Sequence, residues 1–281
     1  GLSGMQRVRN SNGVALLRPF LDIPRERLHQ TIAKAGLEAI SDPSNSNQRF
    51  ARVRIRNKMD LFAQEGMTAS RLAETAGRLL KARQALEQVT ENFMQEVVRL
   101  DEYGIAHLTY ASLHDQPEDI LRRAINRLLT PYDGYPPRAE SVQRILNDVF
   151  LKSRPPKDGG KTVNGFVIRF RRDGLLIFRE FSGLPEPVTI NPGEFFVWDN
   201  GTSVRVAKKT TLKGTLIIKP LGIAGLKAIR HLGNDVPKNL PVAAIHALPS
   251  VWLTYRKKSH ILVAKGVLTH QDIQFDHKIW F

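Results

Sequence analysis

The chain contains no cysteine. That absence removes disulfides, thiolate zinc sites, cysteine-ligated iron–sulfur clusters and cysteine nucleophiles together, and it suits a reducing compartment. Long apolar runs are missing too. None approaches the ~18 residues that a membrane-spanning helix needs, and Gly1-Leu2-Ser3-Gly4-Met5 is not a signal-peptide start. Acidic residues are scarce beside basic ones: 27 Asp and Glu against 42 Lys and Arg, a net charge of +15. A soluble, basic, cytoplasmic protein with no membrane attachment is the expectation. Hydrophobic residues are 42% of the 281, enough for an ordinary core, and the length suggests about two domains.

The charge is uneven. Residues 1–60 carry 11 Lys/Arg against 5 Asp/Glu, residues 61–150 carry 10 against 13, and residues 151–281 carry 21 against 9. A basic surface attracts polyanions and releases their counterions, so nucleic acid is the default partner. A solvated surface kept basic for solubility is the alternative.

Three styles of sequence follow one another. Residues 14–20 suit a short strand. Asp22-Ile23-Pro24 then offers a cap and an early-helix proline, Leu28, Ile32 and Ala35 keep helical spacing, and Gly36 stops the helix. Residues 41–47 are a polar turn or helix start. From Ser70, apolar residues recur at three- and four-residue steps through Leu100, predicting a helix about 45 Å long. A second helix starts at Pro117 with Glu118 and Asp119 in its first turn, and a third uses Val142, Ile145, Leu146 and Val149. The proline-rich stretch 131–137 breaks the chain between them. After Lys152 the period becomes two. Residues 166–171 and 175–179 flank Asp173-Gly174, and residues 195–198 and 202–206 flank Asp199-Asn200-Gly201; both read as hairpins. Residues 216–218 and 261–263 are further strands, 225–232 a short helix, and 181–187 a linker.

Catalytic patterns are sparse. The eight histidines show no metal-ligand spacing, so no metal site is expected. There is no Gly-x-Ser-x-Gly elbow, and Gly159-Gly160-Lys161 lacks the context of a phosphate loop. Phe166, Phe170 and Phe178 read as core rather than as base-stacking platforms. One cluster stands out: Arg49, Arg52, Arg54 and Arg56 within eight residues, behind Asp42, Ser44 and Asn45. On a helix Arg52 and Arg56 share a face, and Arg49 extends it backward. Guanidinium forks suit phosphate or carboxylate, and a helix N-terminus behind an Asp/Ser/Asn turn also draws anions. A capped, solvated basic helix is the plainer alternative. Trp252, Tyr255, Arg256, Lys257 and Lys258 combine aromatic and basic groups suited to a nucleic-acid backbone, and Lys208, Lys209 and Lys213 form a second such patch.

Asp42-Pro43-Ser44-Asn45, followed by Phe50, Arg52, Arg54, Ile55 and Arg56, resembles the D-P-S-N-x-x-x-x-F-x-R-x-R-I-R signature of tRNA(Ile)-lysidine synthases. Leu17-Arg18-Pro19 with Asp22-Ile23-Pro24-Arg25 is similar to the stretch before it in that family, and Gly1-Leu2-Ser3-Gly4-Met5 to its G-L-x-G-M segment. Two departures from the pattern stand out: Val53 stands where the family often has Asn, and Asn57-Lys58-Met59-Asp60 replaces a His and Leu-Leu-Pro stretch.

The resemblance implies a multidomain α/β + α + β chain. Residues 1–60 would be the end of a Rossmann-like ATP-pyrophosphatase catalytic domain, 61–182 a helical domain closing with a β-hairpin, and 188–281 a small β-rich tRNA-binding domain. It implies a ligase that uses ATP with Mg2+ to adenylate C2 of the wobble cytidine in the CAU-anticodon isoleucine tRNA, after which free lysine displaces AMP to give lysidine. Arg52, Arg56 and Asp42 would form the active-site wall, with Asp42 accepting the lysine ammonium, and Asn45, Arg49 and Arg54 would bind substrate. Lys208, Lys209, Lys213, Arg256, Lys257 and Lys258 would contact tRNA. The family's Ser-Gly-Gly-x-Asp-Ser nucleotide loop does not occur in the 281 residues, so the expectation is no adenylation by this chain alone. A non-catalytic RNA-binding module of the same fold is the alternative. A tRNA-thiolating relative ranks below both, because those enzymes generally need cysteine. A homodimer is among the assemblies the sequence allows.

Overall fold

The structure, a computed structural model, describes all residues except 1, 12–13, 41, 132–133, 151–158, 200–201, 257, 266 and 278–281. Among them no helix is long and apolar enough to cross a membrane. The fold is mixed α/β with several antiparallel sheets, and the chain forms two compact units, Gly1–Leu86 and Glu87–Phe281.

The first unit opens with a hairpin, β1 (Val8–Ser11) and β2 (Val14–Leu17), followed by α1 (Arg25–Lys34), a 3₁₀ turn (Pro43–Ser46), α2 (Ala51–Arg56), α3 (Met59–Gln64) and the start of α4 (Ala69–Val97). Pro24 occupies the N-cap of α1 and no side chain caps it. The Asp22 carboxylate, expected as the cap, pairs with Arg7 instead. Gly36, at φ +67, ends the helix as its position suggests. Val53 is the one buried hydrophobic side chain among this unit's described residues.

In the second unit the end of α4 leads to β3 (Arg99–Leu100), β4 (Ala106–Thr109), α5 (Tyr110–His114), α6 (Glu118–Leu128), α7 (Ala139–Phe150), β5 (Gly159–Val163), β6 (Phe166–Phe170) and β7 (Gly174–Arg179). The strands make one antiparallel sheet in the order β3-β4-β7-β6-β5. Gly159-Gly160-Lys161 is therefore a strand, and Lys161 pairs with Asp148. A 3₁₀ turn (Phe181–Gly183) sits within the expected linker. The chain then builds β8 (Val188–Ile190), β9 (Phe195–Asp199), β10 (Thr202–Val206), β11 (Thr215–Pro220), α8 (Gly222–His231), α9 (Val242–Ala247), β12 (Pro249–Tyr255), β13 (Lys258–Ala264) and β14 (Ile273–His277). Sheet β13-β12-β11-β8 faces sheet β14-β10-β9.

Alternation along β6 and β7 produces the layers. Ile168, Phe170, Leu175 and Ile177 join Phe93, Met94, Ile125 and Val142 in one core. Leu176 and Phe178, on the opposite face, join Leu226, Ile229, Leu248 and Trp252 in a second. A third core, with Trp198, Val204, Ile218 and Val251, lies between the two smaller sheets. Phe166, Phe170 and Phe178 are core, as expected. On the surface, Arg123 bridges Glu87 (2.9 Å) and Asp119 (2.7 Å), and Arg127 bridges Glu91 (2.7 Å) and Glu87, which ties α4 to α6 through a partly shielded network.

Gly174 opens β7 where β4 crosses closely, and a Cβ there would lie 1.9 Å from the Leu108 carbonyl oxygen. A Cβ on Gly77, inside α4, would meet nothing within 4 Å. Gly77→Ala should therefore raise stability by about 0.5–1 kcal/mol, the ordinary helix gain. Gly174→Ala should lower it by more than about 2 kcal/mol, because two paired backbones must part. Urea denaturation of each variant gives both signs.

Candidate nucleic-acid interface

The arginine cluster divides between two local structures. Asp42 precedes the 3₁₀ turn, with Asn45 N–H donating to the Asp42 carbonyl at 3.0 Å. Residues 47–49 then intervene before α2, whose N-cap is Phe50 without a side-chain cap. Contrary to the expectation from sequence, the polar turn is therefore not the cap of the arginine helix. Asn47 instead holds the intervening loop, its Oδ1 accepting from Arg49 N–H at 3.0 Å. Arg49 consequently lies before the helix and does not extend its face.

On α2, Arg52, Arg54 and Arg56 differ in what they do. Arg54 turns back and donates to the carbonyls of Gln48 (2.9 Å) and Arg49 (2.7 Å), so it fixes the loop. The Arg52 guanidinium lies 5.0 Å from the Phe50 ring centroid, a cation–π contact that orients it. Arg52 and Arg56 stand one turn apart. All four arginines are exposed, as are Asp42 and Asn45.

At the other end of the chain the fold brings two basic segments together. Thr215 pairs with Thr254, and Tyr255 pairs with Lys258 across the β12–β13 turn. Lys213, just before β11, therefore lies at the same sheet end as Arg256 and Lys258. Gly214 shows how close the approach is: a Cβ there would lie 2.7 Å from the Thr254 carbonyl oxygen. Arg256 has φ +46, a left-handed conformation that costs a non-glycine residue about 1–2 kcal/mol, and its guanidinium lies 5.3 Å from the Tyr255 ring centroid. Lys208, Lys209 and Lys213 are exposed along the β10–β11 connection. Lys257 lies outside the described residues.

Trp252 does not belong with these groups. It is buried, its Nε1–H donates to Ser250 Oγ at 2.9 Å, and the Lys219 ammonium sits 4.1 Å from its ring centroid. The sequence groups it with the basic residues as an RNA contact; the structure corrects this, because the ring packs in the core.

One cluster has no sequence signal. Arg179, at the end of β7, donates to Asp199 (2.6 Å) and to the carbonyls of Gly165 (2.8 Å) and Gly183 (2.6 Å), with its guanidinium 4.6 Å from the Phe166 ring centroid. Burial pushes the Asp199 carboxyl above its ordinary pKa, and Arg179 opposes the shift. Beside this clasp is a cavity of about 90 Å³, lined by Trp198, Asp199 and Tyr103 among others. Burial and the neighbouring Glu102 push the Tyr103 hydroxyl up to about 12. The spent donors of Arg179 make this a structural joint rather than a ligand site. Among the described residues no group of three or more His, Asp or Glu side chains could hold a metal ion.

Comparison with known proteins agrees with the first unit's motif. Residues 1–61 match the PP-loop domain family. The tRNA(Ile)-lysidine synthase of Ruegeria pomeroyi is 31% identical over 261 residues, covering 90% of this chain and 57% of that protein. Those of Rhodopseudomonas palustris and Methylobacterium nodulans are 43% identical over 188 residues and 35% over 164, covering 63% and 55% of this chain and 54% and 46% of theirs. Residues 1–61 are thus similar to a PP-loop domain. The chain as a whole is similar to tRNA(Ile)-lysidine synthases and spans about half the length of the curated relatives it matches.

Strand β12, which carries the basic turn, is pinned by Ser250, whose Oγ accepts from Trp252 and donates to the Lys219 carbonyl at 2.9 Å. Ser250→Ala should cost about 1–3 kcal/mol, since it leaves a buried indole N–H unpaired. Chemical denaturation followed by tryptophan fluorescence measures it.

Proposed function

We propose that the chain is part of an ATP-dependent tRNA(Ile)-lysidine synthase, a cytoplasmic ligase joining free lysine to C2 of the wobble cytidine in the CAU-anticodon isoleucine tRNA. The observation that carries this reading is the conjunction of two findings. The Asp42-to-Arg56 motif lies within residues 1–61, which match the PP-loop family, and identity to a synthase of this name extends over 90% of the chain. In this reading residues 1–60 are the end of a Rossmann-like catalytic domain, 61–182 the helical domain with its hairpin, and 188–281 the tRNA-binding domain. In the whole enzyme ATP activates the C2 oxygen and AMP leaves as the lysine amine forms the C–N bond.

Exposed guanidinium groups on α2 suit nucleotide phosphates, so Arg52 and Arg56 are the residues that would hold ATP or anticodon-loop phosphates. Arg54 would act by keeping the loop in place, a role its two carbonyl contacts support. Asp42, with Asn45 and Arg49 beside it, would meet the lysine ammonium. Magnesium would arrive with the ATP phosphates, there being no set of three acidic or histidine ligands among the described residues. Arg52→Ala or Arg56→Ala in the complete enzyme should lower kcat/KM for ATP or tRNA by ~10- to 100-fold, the size of a lost charged contact. Unchanged steady-state kinetics in both variants would contradict the assignment.

The second reading, an RNA-binding module without chemistry, is favoured by the exposure of all four arginines. Both readings require the basic sheet end to bind RNA. Engaging Lys208, Lys209, Lys213, Arg256, Lys257 and Lys258 predicts that log Kd for tRNA rises with log salt at a slope of roughly 5. Replacing Lys208, Lys209 and Lys213 by Ala together should reduce that slope by about 2–3. A flat salt dependence in filter binding would contradict both. A lysidine-formation assay of the complete enzyme then separates them.

A further inference from the structure

Lys265 is the only buried lysine among the described residues, 5% exposed. It follows β13, its backbone N–H donates to the Pro249 carbonyl at 3.1 Å, and its Nζ crosses to the facing sheet to donate to Thr202 Oγ1 at 3.2 Å. The residue lines a cleft of about 740 Å³ together with Asp101, Glu102, Ala264, His270 and Gln274. A lysine surrounded this way differs from every surface lysine in two respects. Its amine is screened from bulk water, and the space beside it can take a small organic group.

We propose that Lys265 is a selective acylation site, whose amine takes the acyl group of small acyl phosphates in preference to the exposed lysines. In the step, the neutral Nζ lone pair attacks the carbonyl carbon of RCO–OPO₃²⁻. The C–O bond to phosphate breaks, inorganic phosphate leaves with the electron pair, and the amine proton passes to solvent. The product is a neutral amide, which suits a buried position better than an ammonium does.

The groups facing the amine set how much of it is neutral. Burial lowers the Lys265 pKa to about 8, and the nearby Asp101 carboxylate works against that shift; Glu102 and His270 line the same cleft. Near neutral pH this gives a neutral fraction ~200 times that of an unperturbed lysine. The weaker base is also a weaker nucleophile. Discounting with a Brønsted coefficient of ~0.4–0.5, the value known for thiolates, leaves an advantage on the order of tenfold.

The test uses the 281-residue chain and acetyl phosphate, with peptide mass spectrometry reading the acetylation rate at each lysine. Lys265 should react about tenfold faster than Lys208, Lys209 and Lys213 near neutral pH. Its rate should level off above about pH 8 while theirs keeps rising. In denaturant the preference should vanish, and Lys265→Arg should remove the fast site while leaving the exposed lysines' rates unchanged. Three results would overturn the proposal: a Lys265 rate equal to or below that of the exposed lysines, no reaction at Lys265, or a preference that survives unfolding.

Discussion

Strand β7 has no face left for water, and the architecture of residues 87–281 follows from that. Leu175 and Ile177 point into the core built with α4, α6 and α7, while Leu176 and Phe178 point into the core built with α8, α9 and β12. A strand buried on both sides cannot slip by one residue without exchanging its two sets of side chains between environments, so its register is fixed twice over. The same strand ends in Arg179, which reaches Asp199 of β9 and the carbonyls of Gly165 and Gly183. The helical layer and the sheet pair are thus joined by packing along β7 and by a partly buried ion pair at its end.

That joint matters for the basic sheet end. Lys213 and Arg256 project from loops, which are ordinarily mobile, and Lys258 opens β13. Here the loops spring from β11, β12 and β13, whose inner faces are closed by Leu216, Ile218, Val251 and Val263. A polyanion would meet charges already held in place, which lowers the ordering cost of binding. The first unit is held differently. Only Val53 is buried among its described hydrophobic side chains, and α2 depends on local bonds such as those from Arg54 to Gln48 and Arg49.

Local signals carried much of this fold and missed what depends on distant pairing. The hairpin around Asp173-Gly174, the long helix from Ser70 and the helix after Pro117 were legible because periodicity and punctuation agree within a few residues. Strand β4, Ala106-His107-Leu108-Thr109, has no β-branched run and exists because β7 pairs with it. Strand β12 is rich in strand formers, yet its Trp252, close to Tyr255 and Arg256, reads as an RNA contact until Ser250 and Lys219 are seen beside it. In the candidate site, the motif around Arg52 and Arg56 was legible as a pattern. The diversion of Arg54 to the carbonyls of Gln48 and Arg49 was not, because nothing in Arg-x-Arg spacing distinguishes a side chain that turns back from one that reaches outward. Lys265, between Ala264 and Gly266, gives no sign in the sequence that it is buried.

Native-state hydrogen exchange tests most directly whether β7 makes residues 87–281 a single cooperative body. The amides of Leu176 and Phe178 in β7 and of Val251 in β12 should exchange only through global opening, with one shared free energy that falls equally as denaturant is added. If Val251 and its neighbours exchanged through a separate opening of lower free energy while β7 stayed protected, the sheet pair would be an independent domain, and β7 would not be the strand that unites the region.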